Sequence, residues 1–124
     1  MNTILITNNI LAYQKYKGKM DVIYKDDHSY IDILYLTRDS IHQGYKLLTH
    51  PLSGSIKPNE TPFKTIIMSK DKDDLDYASL KIIEDSIHTS QRFLDNKARP
   101  NWGRSVLDDF RIIDLSLIES TIDS

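Results

Sequence analysis

The residues best suited to chemistry lie close together in one stretch punctuated by proline and glycine, Thr49-His50-Pro51-Leu52-Ser53-Gly54-Ser55-Ile56-Lys57-Pro58-Asn59-Glu60-Thr61-Pro62. Backbone amides around Ser53-Gly54-Ser55 suit an anion such as a phosphate, carboxylate or acyl phosphate, and Lys57 adds positive charge. His50 carries the side chain most easily poised near neutral pH as a general base. Ser53 or Ser55 would be its nucleophile and Glu60 its orienting partner, although the GxSxG elbow of many serine hydrolases is missing. A plainer reading stands beside each of these. Proline and glycine shape a long turn, and His50 pins it by bonding main chain; composition alone favours that reading.

Three other groups belong with the loop if the chain forms a parallel sheet. Thr7, Asn8 and Asn9 leave a first strand, Asp27, His28 and Ser29 leave a second, and Thr49 and His50 leave a third. These termini then converge on the carboxyl edge, where ligands of open α/β sheets usually bind. The candidate ligand-binding set is Asn8, Asn9, Ser29, Thr49, His50, Ser53, Gly54, Ser55, Lys57, Asn59, Glu60 and Thr61. Helix capping accounts for at least one of the two asparagines without any ligand.

The elements that must position these groups follow from pattern. Thr3 to Thr7 is a short apolar, β-rich run and predicts a buried strand. Asn9 caps a helix over about Ile10 to Lys17, with Gly18 as its C′ residue. Asp21 to Lys25 is a second strand. Ser29, with Asp32 three residues on, resembles a capping box and opens a helix to about Gln43, stopped by Gly44. Tyr45 to Thr49 is a third strand and Phe63 to Ser69 a fourth. Leu75 or Asp76 to Asn96 is the longest helix. Val106 to Ile122 reads as a last helix, with a strand over Phe110 to Ile118 as the alternative. Its Ile112, Ile113, Leu115, Leu117 and Ile118 cover more than one narrow stripe, which predicts burial on two sides. A homodimer partner is one way to cover the second.

The order βαβαβ–loop–βαα predicts one α/β domain over residues 1–124. The expected fold is a small open three-layer sandwich, a mostly parallel four-stranded sheet with helices on both faces. No helix separates the third and fourth strands, so the fourth runs antiparallel to its neighbour or the loop crosses the sheet edge; about 3.3 Å per extended residue permits either.

Composition removes several function classes. The chain has 124 residues, no cysteine and a formal charge of -2. Disulfides, thiolate catalysis and cysteine-bound zinc are excluded. The charge gives no reason to expect nucleic acid or a membrane as partner. Apolar runs are far shorter than a bilayer span of about 20 residues, and the opening lacks a basic n-region, so a cytoplasmic location is expected. His42 and His88 lie in helices and read as surface or boundary residues rather than metal ligands, and His28 beside Asp26 and Asp27 reads as a solvated turn. Neither GxGxxG nor GxxxxGK[ST] occurs. The sequence thus implies no cofactor and no metal. Trp102 is an interface anchor or closes the core under the connector at 97–103.

The stretch Leu47-Leu48-Thr49-His50-Pro51-Leu52-Ser53-Gly54-Ser55-Ile56-Lys57-Pro58-Asn59-Glu60-Thr61-Pro62-Phe63-Lys64 resembles the GrdX family. So do the opening Ile4-Leu5-Ile6-Thr7-Asn8-Asn9, Trp102, Leu107-Asp108-Asp109-Phe110 and Ile113-Asp114-Leu115-Ser116-Leu117, so the resemblance spans essentially the whole chain. It implies an association with the glycine, sarcosine or betaine reductase system of anaerobic amino-acid-fermenting bacteria, which uses selenoproteins and thioredoxin-type reductants. It brings no catalytic residues, and the motif residues are candidates by position only. The lack of cysteine argues against a redox-carrying role in that setting. The expected function is a non-catalytic accessory protein with reductase components as partners. The alternatives are a sensor for a small anion or metabolite, and a small hydrolase or transferase using His50 with Glu60.

Overall fold

The computed structural model describes residues 2–54 and 56–123. Strand β1 (Thr3–Thr7) leads through α1 (Ile10–Tyr16) to β2 (Asp21–Tyr24) and through α2 (Tyr30–His42) to β3 (Lys46–Leu47). The long loop follows, then β4 (Thr65–Ser69), α3 (Tyr77–Asn96) and α4 (Arg104–Ile122). The sheet order is β2-β1-β4-β3.

The sheet is mixed, which corrects the expected mostly parallel one. Only β1 and β2 pair in parallel; β4 lies antiparallel to both β1 and β3. The cause is the helix-free connection. Of the two routes open to a loop of that length, the chain reverses direction, and β4 enters between β3 and β1. The third strand is shorter than expected, at two residues. Beyond it the Leu48 amide still reaches the Ile67 carbonyl, and the Thr49 hydroxyl accepts from the Ile67 amide at 3.2 Å.

Strand residues alternate between two apolar clusters, as a period of two requires. Ile4, Ile6, Ile66 and Met68 pack with Ile33, Leu34 and Ile41 of α2 and Ile83 and Ile87 of α3. Leu5 and Ile67 pack with Ala12 and Tyr16 of α1 and Ile118 of α4.

Local signals hold at most helix ends. The Asn9 side chain accepts from the Leu11 amide, Ser29 and Asp32 form a reciprocal capping box, and Asp76 caps α3. Gly44 sits at φ +104°, where a Cβ would meet the Asp73 carbonyl oxygen at 2.5 Å, so only glycine fits. Gly18 does not take the left-handed C′ conformation expected of it. That turn closes instead through the Lys19 and Met20 amides on the Tyr16 carbonyl. Residues 110–118 are helical, which removes the strand alternative. Within the chain α4 buries Asp114 and Ile118 and leaves Ile112, Ile113 and Leu117 exposed, so burial on two sides is not met by the chain itself.

Asn8 ties three segments at the end of β1. Its Nδ2 donates to the His28 and Pro62 carbonyls, both at 2.9 Å, and its Oδ1 accepts from the Lys64 amide at 2.9 Å. That last bond is why β4 starts at Thr65 rather than at Phe63. Asn8→Ala strands one buried donor and two carbonyls, and we expect a loss of about 3 kcal/mol in urea unfolding. Ser29→Ala, which removes a cap, should lose about 1 kcal/mol. Equal losses would show that the Asn8 clamp is not the stronger tie.

Candidate functional site

The loop lies at the carboxyl edge of β1 and β2, where Asn8 joins its last residues to His28. It is pinned along its length. The Tyr30 hydroxyl donates to the Pro51 carbonyl at 3.3 Å, Asn59 Nδ2 to Lys97 O at 3.2 Å, and Trp102 Nε1 to Glu60 O at 2.7 Å. Arg99 Nη2 donates to the Pro58 carbonyl. Gly54 (φ +96°) faces Leu117 of α4, whose Cδ1 would lie 2.9 Å from a Cβ at that position. Trp102 stays half-buried, its ring tilted against Phe110 at 5.8 Å between centroids, and so ties the loop to the start of α4.

Most candidates from the sequence turn out to hold the loop together. His50 is exposed, and its Nδ1 accepts from the Leu52 amide at 3.1 Å. Glu60 Oε1 accepts from the Lys57 amide at 3.0 Å. No hydrogen bond or ion pair joins His50 to Glu60, so the expected base and its orienting group are not assembled. The Lys57 ammonium sits 5.9 Å from the Phe93 ring centroid, on α3. Asn8, Asn9, Ser29 and Thr49 have their side chains engaged by main chain. Ser55 lies outside the described residues.

Two candidates, Ser53 and Thr61, line a cleft under the loop together with Tyr30, Ile56, Phe63, Lys64, Phe110, Ile113, Asp114 and Leu117. Its enclosed volume is about 20 Å³, room for about one water-sized group. Among the described residues, Lys64 and Asp114 are its only charged ones, and sequence reading did not name either as a site candidate. Lys64 is 5% and Asp114 7% exposed.

Asp114 is held by a relay from β1. The Asn9 amide donates to Thr7 Oγ1 at 3.0 Å, the Thr7 and Thr65 hydroxyls are 2.7 Å apart, and Thr65 Oγ1 donates to Asp114 Oδ2 at 2.6 Å. Each hydroxyl has one proton to give, so the chain of donors runs from Asn9 to the carboxylate. Asn9 Nδ2 gives Oδ2 a further bond at 2.9 Å. The Thr65 backbone also bonds the Asp114 carboxylate. The Lys64 ammonium lies 5.7 Å from the Tyr30 ring centroid and has neither a hydrogen-bond nor an ion-pair partner among the described residues.

Burial drives both groups toward neutrality. Desolvation raises the Asp114 carboxyl above its ordinary value, against the pull of Thr65, Asn9 and Lys64. Desolvation lowers Lys64, against the attraction of Asp114. Burial also raises the Tyr30 phenol, and the charge of Asp114 adds to that.

The GrdX-like protein family model matches residues 4–123. The chain belongs to the GrdX-like protein family. No curated protein and no solved structure matches it. Among the described residues of this GrdX-like chain, no group of three or more His, Cys, Asp or Glu has metal-site geometry, and no helix is long and apolar enough to cross a membrane.

A raised carboxyl pKa fixes the sign of a pH effect. The folded state holds the Asp114 proton more tightly than the unfolded chain. The stabilisation is complete below the ordinary value of 3.8 and is lost as pH rises through the raised folded value. Asp114→Asn keeps an acceptor for Asn9 and Thr65 and never ionises. Its stability relative to the parent should therefore climb from mild acid to mild alkali, with Lys64 and Tyr30 as the titratable neighbours. A difference in melting temperature that is flat or shrinks with pH would contradict the buried-carboxyl assignment.

Proposed function

We propose that the chain is a non-catalytic accessory protein of the glycine, sarcosine or betaine reductase system, and that it serves there by binding a small anion in the cleft under its loop. Membership of the GrdX-like family supports the setting. One observation carries the binding site: the Lys64 ammonium is buried, unpartnered among the described residues, and faces a cleft. An isolated buried cation is costly, and a bound anion relieves that cost. Ser53 and Thr61 supply hydroxyls beside it. This keeps an anion-binding reading as a proposal, with Lys64 rather than Lys57 as the cation.

The hydrolase or transferase alternative has less support, because His50 and Glu60 each satisfy the loop's own amides.

A thermal-shift panel of acetate, phosphate, acetyl phosphate and chloride tests the site. At least one oxyanion should raise the melting temperature of the wild-type protein. The shift should vanish in Lys64→Met, which should be at least as stable unliganded because it buries no charge, and persist in Lys57→Ala and His50→Ala. A shift retained in Lys64→Met would remove the site. For the setting, reductase subunits should co-purify from cells grown on glycine; recovery of none would remove the accessory role.

A further inference from the structure

The turn over Lys57 to Thr61 is a self-contained piece of the loop. The Glu60 and Thr61 amides donate to the Lys57 carbonyl at 2.9 and 3.3 Å, and the Lys57 amide donates to Glu60 Oε1 at 3.0 Å. Three bonds tie this turn to the connector at 97–103. Asn59 Nδ2 donates to Lys97 O at 3.2 Å, Arg99 Nη2 to Pro58 O, and Trp102 Nε1 to Glu60 O at 2.7 Å. Every donor is a side chain, and among the described residues no backbone–backbone hydrogen bond crosses this seam. The seam is also imperfect. Asn59 Oδ1 and Arg99 Nε are buried there without a hydrogen-bond partner. A buried polar atom left unpaired opposes the state that buries it, and water satisfies both atoms once the turn lifts.

We propose that this turn is a latch over the cleft, and that an oxyanion is held at Lys64 only when the latch is released. This rests on the anion-binding reading above and adds its regulation. Ile56 and Thr61, at the two ends of the turn, line the cleft, so lifting the turn widens it. With the latch closed the enclosed space is about 20 Å³, enough for about one water-sized group and too little for acetate or phosphate. The parts beside the turn stay anchored: Tyr30 holds the Pro51 carbonyl, Leu52 packs against the core, and Asn8 holds the Pro62 carbonyl and the Lys64 amide. The turn keeps its own internal bonds as it moves and exchanges only its three ties to the connector. Because the released state is the one that binds, whatever weakens the latch strengthens anion binding.

Trp102 is the only tryptophan in the chain, so its indole N–H gives a single signal for the latch. In the wild-type protein without ligand, hydrogen exchange followed by NMR should show this N–H at least tenfold less protected than the slowest amides of β1, because the latch opens without unfolding the sheet. Saturating acetate or phosphate should lower its protection at least a further tenfold. Trp102→Phe keeps an aromatic ring against Phe110 and loses only the donor to Glu60. It should bind acetate and phosphate at least threefold more tightly than the wild type in calorimetric titrations, whereas a tie that merely braces the site would give weaker binding.

Indole protection equal to that of the β1 amides would overturn the latch, and this comparison needs no variant to fold. Anion binding that leaves the indole protection unchanged or higher, or an affinity that is unchanged or weaker in Trp102→Phe, would overturn the latch and leave the anion site standing. Binding of neither anion by the wild type or by Trp102→Phe would overturn the anion site and the latch with it.

Discussion

The carboxamide of Asn8 decides where the loop comes home. Its three hydrogen bonds, to His28, Pro62 and Lys64, hold the end of β1, the turn after β2 and the start of β4 in one place. An asparagine side chain brings two donor hydrogens and an acceptor oxygen, and here each is met by main chain. The position of Lys64 follows from that clamp. With its amide held by Asn8, Lys64 is fixed at the mouth of β4 and its side chain runs beneath the loop rather than into solvent.

A second network places the opposing charge. Asn9 caps α1 with its Oδ1 and reaches α4 with its Nδ2, bonding the Arg111 carbonyl and the Asp114 carboxylate. Thr7 and Thr65, paired across β1 and β4, complete the shell around Oδ2. α4 is thus docked on the sheet by polar contacts near its middle and by Ile118 one turn further on.

Much of the scaffold was legible because it depends on local chemistry. Asn9, the Ser29–Asp32 box and Gly44 act within a few residues of themselves, and each behaves as its type requires. The loop's place at the carboxyl edge was legible from the missing helix between β3 and β4. Strand pairing was not, because a two-residue strand carries no periodicity that names its neighbour. The site was legible only in location. Lys57, Glu60 and His50 look reactive in sequence, yet turn geometry claims them. Lys64 and Asp114 look like ordinary charged residues at a strand start and in a helix. The available signal was a lone carboxylate among Ile112, Ile113, Leu115 and Leu117, a charge within an apolar run.

The proposed anion site rests on Lys64, which lines the cleft under the loop without a hydrogen bond or ion pair among the described residues. The most direct measurement is an NMR titration of the Lys64 side chain, followed at its Cε and Nζ with and without a saturating oxyanion. The account predicts a Lys64 pKa below the ordinary 10.5 in the free protein that moves upward when the ligand binds. A Lys64 that titrates at the ordinary value, unmoved by any ligand, would contradict it.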